Sequence, residues 1–113
     1  MRSTSSELGV ILSNDLDMSA TVASATWNFS RFKSGSIQFV WSAGSSPVGS
    51  FTLEGSVDGT NWVTVDSTLA QISGNTGSQL IDIPFSGLPA LRGKYTRVSG
   101  SATLDVYVFG KEV

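Results

Sequence analysis

"SIQFVWSAGSSPVGSFTLEGSVDGTNWVTV", residues 36–65, is the stretch on which the fold turns. Ile37, Phe39 and Trp41 alternate with Gln38 and Val40, and Phe51, Leu53, Gly55 and Val57 alternate with Thr52, Glu54 and Ser56. Successive side chains of a strand point to opposite faces, so both runs predict strands with one face on a core. SAGSSPVG (42–49) between them is rich in turn formers and is expected to be a connection. Asp58-Gly59-Thr60-Asn61 predicts a hairpin turn, with Gly59 first and Asn61 second as the positive-φ positions. Asp58 is expected to accept backbone N–H bonds and Trp62 to cover the end of the core. NWVTV (61–65) then pairs back on the preceding strand.

Short extended runs continue on both sides of this block. GVIL (9–12), MSATVAS (18–24) and ATWNFSRF (25–32) read as strands or extended loops before it. After it, DSTLAQISGNTGS (66–78) reads as a loop, QLIDI (79–83) as a strand ended by Pro84, and FSGLPALRG (85–93) as a connection. KYTRVS (94–99), a Gly100-Ser101 turn and ATLDVYVFG (102–110) close the chain. In that last run Leu104, Val106 and Val108 alternate with Asp105, Tyr107 and Phe109; bulk on both faces predicts a central strand or one that meets another chain. About eight strands with hairpin-length connections and no helical period predict an all-β fold, an antiparallel β-sandwich of jelly-roll topology. The 113 residues suit one domain, 8–113, behind a polar flexible arm, 1–7.

The residue inventory narrows the chemistry. Neither histidine nor cysteine occurs, which removes Ser-His-Asp and Cys-His catalysis and the common zinc and copper ligand sets. No glycine-rich phosphate loop is present. The nine acids would have to supply any catalysis as a facing pair across a cleft, so no enzyme activity, cofactor or metal is expected. NDLD (14–17) is a fragment of an oxygen-ligand calcium pattern, but reads as a polar turn whose Asn and Asp satisfy backbone donors. A net charge of −2 with seven scattered basic residues predicts no nucleic-acid partner. Arg92, Lys94 and Arg97 read as a solvated strand edge. The apolar run at the N-terminus is too short for a signal peptide or a membrane span, so no membrane insertion is expected.

Two aromatic pairs are candidate contact sites. Trp27 and Phe29 alternate along an extended stretch with Arg31 and Lys33, the pattern of a core edge, a subunit interface, or a platform for a sugar ring with a basic neighbour. Tyr107 and Phe109 lie on the second face of the last strand.

The Ser56, Asp58, Gly59 and Trp62 turn resembles one widespread in bacterial and phage β-sandwich modules, including discoidin-like carbohydrate-binding domains. From about Ser36 onward the chain is similar to small β-sandwich proteins encoded among the virion structural genes of tailed phages and prophages. The shared features are a strand ending near Trp41, the Asp58-Gly59 hairpin, the Gly-Ser start of the QLIDI strand, and a final hairpin setting Tyr95 and Arg97 against the last strand. The resemblance implies a non-enzymatic virion protein, a capsid decoration, head or tail-associated subunit, assembled in the host cytoplasm. Its partners would be other virion proteins and copies of itself. The alternative is a carbohydrate-binding module that attaches to a glycan surface.

Overall fold

The computed structural model describes residues 10–71, 74–83 and 87–111; the expected arm and Pro84 lie outside the described residues. Every regular element among them is a strand: β1 (Val10–Asp17), β2 (Val22–Ala23), β3 (Ser34–Ser56), β4 (Val63–Gln71), β5 (Gly77–Asp82) and β6 (Ala90–Lys111). They form one antiparallel six-stranded sheet in the order β1-β6-β3-β4, with β2 also on β6 and β5 also on β3. The all-β antiparallel expectation holds.

Two of the expected connections lie wholly inside strands. SAGSSPVG lies inside β3, and the Gly100-Ser101 turn lies inside β6. Each segment is the other's partner: Ser42 pairs with Thr103, Ser45 with Ser101 and Val48 with Ser99, with register shifts between them. Turn-forming residues serve here as bulges, which bend a strand without ending it. Ala43 and Ser46 take φ of 54° and 51°, and Gly100 takes 74°. A side chain at Gly100 would run into the Ser46 carbonyl. Asn75 fastens the corner, its backbone carbonyl accepting from Gly44 N–H (3.0 Å) and its Oδ1 from Ser46 N–H (2.9 Å).

The bend is obligatory. Fully extended, the 23 residues of β3 would span roughly 75 Å, whereas the longest dimension of the molecule is 45 Å. The first arm of β3, residues 34–42, lies between β5 and the end of β6, and the second, 48–56, between β4 and the start of β6. Phe39 of the first arm stacks on Phe51 of the second, ring centroids 4.3 Å apart, so the arms face each other. Ile37, Trp41, Leu53, Leu91, Leu104, Val106 and Val108 fill the same core, and buried Tyr95 donates its hydroxyl to the Val48 carbonyl (3.0 Å).

The alternations resolve accordingly. Ile37, Phe39, Trp41, Phe51, Leu53 and Gly55 are buried, but Val57 has left the strand and is exposed. Glu54 and Ser56, expected on the solvent face, are buried too: Glu54 is paired with Arg92 and Lys94, and the Ser56 hydroxyl is bonded within the Asp58 turn. β6 is central, flanked by β3 on one side and β1 and β2 on the other, so Arg92 and Lys94 are not on a strand edge. They stand on the outward face of an inner strand, paired with Glu54 at 2.8 and 3.8 Å. MSATVAS contributes only Val22–Ala23, and ATWNFSRF only an isolated bridge from Trp27 to Leu91. The expected 66–78 loop is strand as far as Gln71 and again from Gly77, and the expected 85–93 connection becomes β6 from Ala90. NDLD belongs to β1, with Asp15 at a bulge (φ 56°); the turn comes after it, where Asp17 Oδ1 accepts Ser19 N–H at 2.9 Å.

Candidate functional site

The Asp58 turn is closed by its own side chains. One carboxylate oxygen, Oδ1, accepts the N–H groups of Thr60 and Asn61 (both 2.8 Å) and the Ser56 hydroxyl (2.9 Å), while Oδ2 accepts the Asn61 amide (2.7 Å). Gly59 N–H donates to Ser56 Oγ at 2.8 Å. Four donors favour the ionised form, so the N–H groups of Asn61 and Thr60, then the Asn61 amide and Ser56 hydroxyl, hold the Asp58 carboxyl well below the usual carboxylate range. Gly59 takes the positive φ, 76°; Asn61 does not, and acts through its amide. Trp62 is absent from the core cluster: its ring lies under the Arg92 guanidinium, 4.1 Å from the centroid, on the charged outer face.

The Trp27 segment forms a different kind of site. Trp27 exchanges backbone hydrogen bonds with Leu91 (2.8 and 2.9 Å), Phe29 N–H donates to the Leu88 carbonyl, and Gly87 N–H to that of Phe32. Between them Asn28 Oδ1 accepts Ser30 N–H at 2.9 Å, an Asx turn that breaks the alternation. That turn brings Phe32 back onto Trp27 and Phe29, with all three centroids 5.0 to 5.4 Å apart. Phe29 is fully buried and reaches no partner directly; it is the floor on which Trp27 and Phe32 rest. The two half-buried rings, with Asn28, Ser30 and Arg31, line a cleft of about 320 Å³. Strict alternation hid Phe32; the Asn28-Phe29-Ser30 spacing of an Asx turn is the signal that would have revealed it.

Tyr107 and Phe109 point outward from β6, both half-buried. With Ser36, Gln38 and Leu80 they border a shallow hollow of about 140 Å³. Strand register sets Ile11, Tyr107, Gln38 and Leu80 in one row across four strands, and the two ends of that row, Ile11 and Leu80, are 47% and 64% exposed. The row holds no charge. On the other arm the outward positions of β3 and β6 hold Thr52, Glu54, Arg92 and Lys94.

Among the described residues most carboxylates are committed within the fold. Glu54 pairs with Arg92, Asp82 accepts the Ser36 hydroxyl (3.0 Å), Asp105 accepts Asp15 N–H (2.9 Å), and Asp17 and Asp58 close turns. Among the described residues no three His, Cys, Asp or Glu side chains gather as a metal site, and no helix is long and apolar enough to cross a membrane. Comparison with protein-family models, with curated proteins and with solved structures finds no match to this chain.

Proposed function

We propose that the chain is a non-enzymatic structural protein of a virus particle, a capsid decoration, head or tail-associated subunit that joins other virion proteins and copies of itself through protein–protein contacts, with assembly in the host cytoplasm. The observation that carries this reading is the uncharged row Ile11, Tyr107, Gln38 and Leu80 on an outward sheet face. Aromatic and aliphatic side chains with little charge are the composition of interface centres. The commitment of the acids to turns and pairs supports a non-enzymatic role. Counting each arm of β3 and β6 separately, we read the bent sheet as an eight-stranded sandwich. One layer is β1, late β6, early β3 and β5; the other is β2, early β6, late β3 and β4. That is jelly-roll winding, an architecture common to viral capsid and lectin domains. Fold analogy supports a class of role and assigns no site. Mass spectrometry of purified particles from the virus or prophage carrying the gene tests the proposal: the chain is expected among the structural proteins, and its absence overturns the reading.

The Trp27 cleft favours a second reading, a carbohydrate-binding module attaching to a glycan surface. Two supported aromatic rings with polar side chains at the rim suit a sugar better than they suit a flat protein contact.

A further inference from the structure

We propose that two copies of this chain join edge to edge through β5, antiparallel about a two-fold axis at Leu80, so that the sheet continues from one copy into the other. This deepens the self-association part of the virion reading and rests on it. Among the described residues β1, β2, β4 and β5 border the sheet. All but β5 are blunted in ways that discourage pairing with another chain. β2 has only 2 residues, β1 shifts register twice along β6 and holds Asp15 at φ 56°, and β4 shifts register twice along β3. β5 runs without a shift from Gly77 opposite Trp41 to Asp82 opposite Ser36, and its sequence, GSQLID, contains no lysine, arginine or proline.

The partner follows from the backbone and the side chains of that edge. Ile83 N–H donates to the Gly35 carbonyl at 3.0 Å, and the backbone groups of an antiparallel strand point alternately to one side and the other. Ile81 and Gln79 therefore turn theirs to β3, while Ser78, Leu80 and Asp82 turn theirs to the open edge. Such an edge takes up an added strand through main-chain bonds, and its side chains select which strand. Centred on Leu80, a second β5 sets Leu80 against its own copy, Ser78 against the second copy's Asp82 and Asp82 against the second copy's Ser78. Each of these pairs exchanges two N–H···O=C bonds, so every outward backbone group is used. Centred on Gln79, the pairing would leave Asp82 facing Thr76, outside β5; centred on Ile81, it would set Asp82 against Leu80. The Leu80 register also suits the charge. Asp82, the one ionisable side chain of β5, meets a serine hydroxyl that can donate to it, and lies roughly 13 Å along the strand from its own copy. The uncharged rows of the two copies then meet at Leu80, which is 64% exposed in the single chain.

The test follows the full chain by sedimentation equilibrium at rising concentration, with amide hydrogen exchange read by NMR at both ends of the range. The mass is expected to climb toward twice the 11.9 kDa of the chain and to level there, because a two-fold pairing consumes the edge. In the dimer the amides of Ser78, Leu80 and Asp82 gain protection, while those of Gln79 and Ile81, turned to β3, change little. Leu80→Pro removes an outward N–H that β3 does not use; it should abolish the dimer and leave Tm near wild type. Leu80→Ala keeps that N–H and should still pair. Ser78→Lys should tighten the dimer roughly two- to tenfold, because it faces Asp82 on both sides of the axis, whereas Leu80→Lys faces itself and disrupts it. A dimer whose 78, 80 and 82 amides stay unprotected, or one that survives Leu80→Pro, overturns the edge pairing and leaves association through the outward face standing. The exchange pattern decides the matter even where Leu80→Pro misfolds. Weakening by Ser78→Lys overturns the Leu80 register. A chain monomeric up to about millimolar concentration overturns self-pairing altogether, whereas the virion reading fails only if the chain is missing from particles.

Discussion

At residue scale the Asp58 turn couples sequence to stability through one carboxylate. An aspartate in the unfolded chain titrates near about 3.9; in the folded turn its four donors place it well lower. A depressed folded value means the contribution is fully present above the unfolded value and is lost as pH falls through the folded one. Thermal melts from pH 6 to pH 2 should therefore show a decline in Tm beginning near pH 4. Asp58→Asn should lower Tm at neutral pH and flatten that decline. Asp17, held low by Ser19, leaves a residual slope in the variant. Identical pH profiles for the two proteins would remove Asp58 as the cause. Gly59→Ala separates backbone from side-chain effects in the same turn. Its Cβ would meet no atom within 4 Å, so only the φ of 76° resists it. A loss of about 1 kcal/mol in urea denaturation is expected. Asp58 and Gly59 were legible because their roles are local. Trp62 was not: what draws it out of the core is Arg92, thirty positions away on another strand. Phe29 and Phe32 exchanged expected prominence because an Asx turn between them resets which side chain faces outward.

At the scale of elements, alternation located 36–41 and 51–55 correctly, yet divided β3 where the chain does not divide. Serines, glycines and a proline at 42–49 carry the same signature whether they reverse a strand or bend it. What decides is a second segment, 97–103, that supplies backbone partners along the bend, and a single run of sequence contains no record of that pairing. The corner is therefore expected to depend on fastening groups the alternation does not mark. Asn75→Ala removes one hydrogen bond, to Ser46 N–H, and should cost about 1 kcal/mol. Hydrogen exchange gives the sharper reading: Ser46 should exchange faster, while Gly44, bonded to the Asn75 backbone carbonyl, should keep more of its protection. Equal acceleration at both would mean that the corner opens as a unit and that the side chain is not its fastener. Gly100→Ala should cost more than Gly59→Ala, since the same positive φ is joined by a clash with the Ser46 carbonyl. The outward row resisted sequence reading for a related reason. Tyr107 was visible as a bulky residue on a second face, but Ile11 and Leu80 join it only through the register of four strands.

For the whole molecule, the two arms of the bent sheet carry different outward rows, and that difference predicts how the protein associates. One carries Arg92 and Lys94, paired with the buried Glu54, with the Arg92 guanidinium over the Trp62 ring. The other carries the uncharged row, between rows that hold Asp82 and Asp105, and ends at Leu80 on β5, a strand paired with β3 on one side only among the described residues. Lysine on a strand edge opposes pairing with another chain, and no lysine occurs in β5. If copies assemble through this face, sedimentation analysis should find species heavier than the 11.9 kDa chain, with the heavier fraction rising with concentration. Leu80→Lys should return the protein to monomer. Because Leu80 is 64% exposed, that substitution should leave Tm at low concentration nearly unchanged, which separates loss of association from loss of folding. Lys94→Glu on the opposite surface serves as the control: it weakens a partly exposed ion pair and should leave the sedimentation profile as it was. A wild-type chain that stays monomeric up to about millimolar concentration, where the weakest specific complexes form, would remove self-association from the proposed role and leave the face to other virion proteins. If Lys94→Glu dissociated the protein and Leu80→Lys did not, the contact would belong to the charged surface, and the uncharged row would lose its place as the observation that carries the function.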